Sequence, residues 1–235
     1  MNPGRRGARA GIVHHHPLAT AVALVVVVLG IVSSPLVLDY VEYRHEKRVI
    51  ASLPEDGVEG HGTTSLPRRW VYLVFGAACH PWYERTYAID VSSPDIKEAH
   101  VEALCGLPKL ISLRLHGGAV TDACVRHVIH RPELQTLGLS RTAISDKSLE
   151  VVGRLERLSQ LRVNDTAIAD EDMAAVARLT SLRGVYIGNT SVTDAGLRHL
   201  AGHASLVAVF AEQTLVTKEG ALALKKSLPG VYVSN

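Results

Sequence analysis

A block of 24 residues recurs along this chain, and it leaves few folds open. Gln135–Leu158 (QTLGLSRTAISDKSLEVVGRLERL), moved forward by its own length, lands on Ser159–Leu182 (SQLRVNDTAIADEDMAAVARLTSL). Ile111–Leu134 precedes in the same frame and Arg183–Leu206 follows, so four consecutive units keep the period without insertion. A period in this range marks a stacked-repeat array, in which each unit relies on its neighbours to bury its apolar stripe.

Within a unit, numbered from the residue after the closing leucine, the third and fifth places are apolar. They hold Leu113 and Leu115, Leu137 and Leu139, Leu161 and Val163, Val185 and Ile187, and Val209 and Ala211. Alternation at period two predicts a short half-buried strand. The eighth place is Thr142, Thr166, Thr190 and Thr214, and the tenth is always β-branched, from Val120 to Val216. Asp122, Asp146, Asp170 and Asp194 stand just ahead of a helical pattern and are read as N-caps. Spacings of three then follow (Leu149, Val152, Leu155; Met173, Val176, Leu179), which put one stripe toward the strand layer. Weaker copies extend the array outward to Tyr87–Leu110 and Val207–Pro229, and Val231–Asn235 reads as a last strand. Eroded end units are expected of capping repeats.

These units resemble bacterial leucine-rich repeats, and Thr190-Ser191-Val192-Thr193-Asp194-Ala195-Gly196-Leu197 matches their short form closely. The resemblance implies an α/β solenoid with parallel strands on a concave face and helices on the convex face. It also implies that the eighth-place threonine stands in for an asparagine that bonds the neighbouring turn. The order of segments looks like that of small membrane-anchored proteins of planctomycete-type bacteria.

Ahead of the repeats, residues 1–17 form a basic tail with Arg5, Arg6 and Arg9; His14–His16 are read as solvated, not as metal ligands. Leu18–Leu38 carries no charge over 21 residues, long enough to cross the hydrocarbon core as one helix. It is read as an uncleaved signal-anchor in the cell membrane, which with a basic tail inside places the repeats on the non-cytoplasmic side. Residues 39–67 are expected to be a charged, exposed stalk running into a Gly-rich linker or irregular loop, and 68–86 an aromatic cap over the first repeat. Residues 87–235 are the repeat domain.

Net charge of +2 argues against a nucleic-acid partner, and the three cysteines lack metal or redox spacing, so they are read as buried apolar side chains. No phosphate-binding, dinucleotide or nucleophile motif occurs. His116 and Asp90 sit on adjacent strands as a possible acid–base pair, but without a nucleophile or metal set no enzyme is inferred. The helical pairs His127/His130 and His199/His203 are expected on the convex surface. No cofactor, metal or small-molecule substrate is implied. The open sheet face is left as the place for chemistry, with Arg114, His116, Arg141, Arg162, Asn164, Tyr186, Asn189 and Phe210 as partner-binding candidates. Arg, Tyr and Phe are enriched at protein interfaces, so the expected function is binding a partner protein. The alternative is an envelope-organising protein with no dedicated ligand.

Overall fold

The computed structural model describes residues 41–54, 58–65 and 84–235. The chain divides into two units, Met1–Val41 and Glu42–Asn235, and the second contains the array. Leu18–Leu38 and most of 68–86 lie outside the described residues, as does Cys79. Among the described residues no helix is long and apolar enough to cross a membrane.

Among the described residues eight strands form one sheet in chain order. β1 (Val58–Ser65) pairs antiparallel with β2 (Glu84–Val91). The rest are parallel: β3 (Ser112–Leu115), β4 (Thr136–Gly138), β5 (Gln160–Arg162), β6 (Gly184–Tyr186), β7 (Ala208–Phe210) and β8 (Tyr232–Ser234). Every parallel step pairs residues 24 apart, as in Ile89↔Leu113, Leu113↔Leu137 and Leu161↔Val185. The third and fifth places are therefore one column each, and all of them are buried. A helix over 41–51 (α1) precedes the sheet. The repeat helices are α2 (Glu98–Cys105), α3 (Asp122–Val125, continued as a tighter turn to His130), α4 (Asp146–Val152), α5 (Met173–Val176), α6 (Asp194–Arg198) and α7 (Lys218–Ser227).

Two elements depart from expectation at the N-terminal side. Val58–Ser65 (VEGHGTTS) is a strand, although its glycines weaken strand propensity. Backbone pairing with the otherwise open edge of β2 supplies what propensity does not, and that edge is thereby covered. The 39–67 stretch is also not wholly exposed. Val49 of α1 and Leu53 just past its end join the buried core, while Val41 faces solvent.

The seventh place turns the chain out of each strand through the left-handed region: Gly117, Arg141, Asp165, Asn189 and Gln213 have φ of 104°, 58°, 56°, 52° and 57°. One residue later, the hydroxyls of Thr142, Thr166, Thr190 and Thr214 donate to the carbonyls of Leu139, Val163, Ile187 and Ala211, each at 2.6 Å. The threonine thus closes its own turn and does not reach the neighbouring one, because its hydroxyl is too short to span units.

The repeated aspartates are not N-caps. Asp122, Asp146 and Asp194 are first helical residues behind Thr121, Ser145 and Thr193, and the Ser145 and Thr193 hydroxyls accept first-turn amides. Their carboxylates are free to reach forward into the next unit. Asp122 accepts from the amide and hydroxyl of Ser145 and from the hydroxyl of Ser148. Asp170 accepts from the amide (2.7 Å) and hydroxyl (2.7 Å) of Thr193 and from the amide of Gly196 (2.9 Å). Asp194 holds Thr217 in the same way. A Cβ at Gly196 would lie 2.6 Å from Asp170 Oδ1, so glycine lets the amide approach where Ser148 uses a hydroxyl. Asp146 breaks the series, since its successor Ala169 has no hydroxyl. Asp146 turns to the amide of Lys147, and Ala169 N–H goes instead to Asp172.

His203 is likewise not a surface residue. It stands where Leu107, Leu155 and Leu179 fill the core and is only 8% exposed. Its Nε2–H donates to the Leu179 carbonyl at 2.8 Å, and its buried Nδ1 has no partner. His127 meets Glu98 at 3.0 Å, and His199 and His130 face solvent as expected.

Candidate functional site

With the third and fifth places in the core, the second, fourth and sixth point to the opposite, helix-free face. The strand register aligns the fourth place into a single row: Asp90, Arg114, Gly138, Arg162, Tyr186, Phe210 and Ser234. Seven residues scattered over the sequence at intervals of 24 so become side-by-side neighbours.

The first half of the row is polar and internally paired. Arg114 contacts the Asp90 carboxylate at 3.3 Å, and His116 Nε2 lies 3.2 Å from its other oxygen. His116 Nδ1 lies 3.3 Å from the Ser140 carbonyl. Gly138 has a specific reason to be glycine, because a Cβ there would come within 2.9 Å of Arg114 Cγ. An open hollow of about 290 Å³ lies over these residues, bounded also by Arg141, Arg162, Asn164 and Asp165. The Asp90–His116 pair forms as expected, with Arg114 on the second carboxylate oxygen and the Ser140 carbonyl beside Nδ1. Among the described residues no group of His, Cys, Asp and Glu could hold a metal ion.

Five of the expected binding residues, His116 among them, are engaged in contacts between units. Arg114 is paired with Asp90, as above. Arg141 and Asn189 both reach Asp165, at 3.4 and 2.7 Å. The Asn164 side-chain oxygen accepts the Gly188 amide at 2.8 Å.

The second half of the row behaves differently. The Arg162 guanidinium lies 4.3 Å from the centre of the Tyr186 ring. Tyr186 stacks on Phe210 with centroids 4.4 Å apart and planes 6° from parallel. Phe210 in turn meets Tyr232 at 5.7 Å and 52°. Arg162 makes no ion pair among the described residues, and its buried Nε finds no acceptor. The result is a continuous cation–aromatic stack on the sheet surface. Tyr232 is the member that sequence reasoning missed, although the signal was present. Adding 24 to Ala208 places it at the second position of the last strand, on the same face.

The array is an α/β solenoid. The parallel register of 24 and the strand–turn–helix unit decide this. Comparison with known proteins returns solved structures of low identity. One is an internalin from Listeria monocytogenes (TM-score 0.45, 18% identity, covering 61% of this chain and 38% of that one). Another is internalin C2 of the same species (0.47, 14%, 63% and 79%). A third is an LRR protein of Leptospira interrogans (0.45, 16%, 63% and 37%). The chain spans less than half the length of the first and third. No family model and no curated protein matches the sequence.

Proposed function

We propose that this is a membrane-anchored, non-enzymatic repeat protein whose open sheet face binds a partner protein. The observation that carries the reading is the Arg162–Tyr186–Phe210–Tyr232 stack. Aromatic and arginine side chains held rigid on one sheet face are the residue types that dominate binding energy in protein interfaces. Being stacked already, they lose little further freedom on binding. Arg114, His116, Arg141, Asn164 and Asn189 border the stack and hold one another in place, so they shape the surface more than they contact a ligand.

Leu18–Leu38 supports the anchor by length and lack of charge, and the basic residues before it favour an array on the non-cytoplasmic side. Affinity capture with Arg162→Glu, Tyr186→Ala and Phe210→Ala variants tests the face; partners unchanged in all three would refute it. Carbonate extraction tests the anchor, with release of full-length chain as the refuting result. Protease accessibility on intact and permeabilised cells tests the side.

A second reading, an envelope-organising array with no dedicated ligand, draws on the polar residues bonded from unit to unit, which stiffen the sheet. It predicts that the same capture returns no partner that depends on Arg162, Tyr186 or Phe210.

A further inference from the structure

We propose that the Arg162–Tyr186 step is a seat for a carboxylate, and that its occupant is an acidic side chain on an extended segment of the partner protein. The inference rests on reading this face as the binding surface and adds the chemistry of what is bound. Of the three arginines around the hollow, Arg114 has Asp90 and Arg141 has Asp165, whereas Arg162 has only the Tyr186 ring. Three arginines against two aspartates leave one positive charge, and it sits on Arg162. Its Nε is buried without an acceptor, as is that of Arg114, so what sets Arg162 apart is the lack of a carboxylate partner. An anion delivered by a partner meets an attraction that water screens poorly.

The geometry favours a carboxylate over a phosphate. A guanidinium is planar and presents paired N–H groups, which match the two oxygens of a carboxylate. A doubly charged phosphate would meet the carboxylates of Asp90 and Asp165, which bound the same hollow. The aromatic half of the stack specifies a second feature. Phe210 lies two strands beyond Arg162, about 10 Å at the usual strand spacing. An extended chain in the polyproline II form, with three residues per turn and about 3.1 Å per residue, covers that distance in about three residues and brings side chains i and i+3 to the same side. The matching segment therefore carries an acidic residue and, three positions on, an apolar or aromatic one that lies against Phe210 and Tyr232.

The experiment is a fluorescence-anisotropy titration of the full chain in non-ionic detergent with three labelled peptides. One has glutamate followed three residues later by phenylalanine; the others replace the glutamate with glutamine or phosphoserine. The glutamate peptide is expected to bind about tenfold more tightly than the glutamine peptide, the equivalent of one charged hydrogen-bonded contact. Arg162→Gln should abolish that difference, and Arg162→Lys should retain only part of it. Equal binding of the glutamate and glutamine peptides overturns the carboxylate seat, as does tightest binding of the phosphoserine peptide. If binding in those cases still falls with Tyr186→Ala and Phe210→Ala, the binding face stands and only its chemistry is wrong. If no peptide binds, or none responds to any of the three side chains, both readings fall. Circular dichroism of each variant checks that the fold is intact.

Discussion

Asp170→Ala is the substitution through which the inter-unit staple is best tested. Removing this carboxylate leaves the amides of Thr193 and Gly196 and the hydroxyl of Thr193 without their acceptor at the start of α6. A hydrogen bond to a charged group is worth roughly 1.5–3 kcal/mol, and about half of that in a half-exposed site that water can enter. Three such bonds, acting as one unit, come to about 3 kcal/mol. A repeat array is held by nearest-neighbour interfaces, so the loss falls directly on cooperativity between two units. For a chain of this size about 2–4 °C of Tm accompanies each kcal/mol, and the expected fall is roughly 6–12 °C. The assay is thermal unfolding of the full chain followed by far-ultraviolet circular dichroism. Asp146→Ala is the internal control. It occupies the same place but bonds only the amide next to it, so its removal should cost under about 1 kcal/mol. If the two variants melt within about 2 °C of each other, the aspartates act only on their own helices and the staple is wrong.

The staple also has a pH signature. Burial works to raise the Asp170 pKa, but the bonds from Thr193 and Gly196 and the charge of Arg198 outweigh it and hold the carboxyl below its usual range. A depressed folded value means that the stabilisation is present above the unfolded pKa and is lost as pH falls through the folded one. The gap in Tm between wild type and Asp170→Asn should therefore be full at pH 6 and close in strongly acidic solution. Asp172 runs the other way, because burial, then Asp146 and Glu171, push its pKa up. Asp172→Asn keeps an acceptor for Ala169 N–H while removing the charge, so it should raise Tm at pH 7 by a few degrees, with no gain below the unfolded carboxylate range. His203→Leu restores the residue found at Leu155 and Leu179. It removes the unpaired Nδ1, while the Leu179 carbonyl keeps the Leu182 amide, so stabilisation of about 1–2 kcal/mol is expected in the same melt. Burial raises the Cys105 thiol to about 12, so native protein at pH 8 should leave Cys105 unalkylated by iodoacetamide until it is unfolded.

The strand core, the turn and the helix stripe were legible in the chain itself. Leu113, Leu137 and Leu161 recur every 24 residues, and side-chain direction in a strand or helix depends only on local backbone geometry. The same period told which residues share the open face, Arg162, Tyr186 and Phe210 among them. It did not tell which of these neighbours would bond each other. That outcome depends on competition among side chains 24 residues apart, and Asp90, Asp165 and Asn164 take partners that a one-dimensional pattern counts as free.

What the sequence determined alone is the repeat and hence the stacking register. A periodic apolar pattern has only one alignment in which every unit buries its stripe. The tertiary structure decided where the exceptions to that pattern go. Val58–Ser65 becomes a strand because an unpaired sheet edge lies beside it. His203 is buried because its place in the stack, held by Leu107, Leu155 and Leu179 in other units, packs against the core. Arg162 is left uncompensated because Gly138 stands on one side of it and Tyr186 on the other. Each is a consequence of which strands lie side by side, a relation that exists only after the chain has stacked.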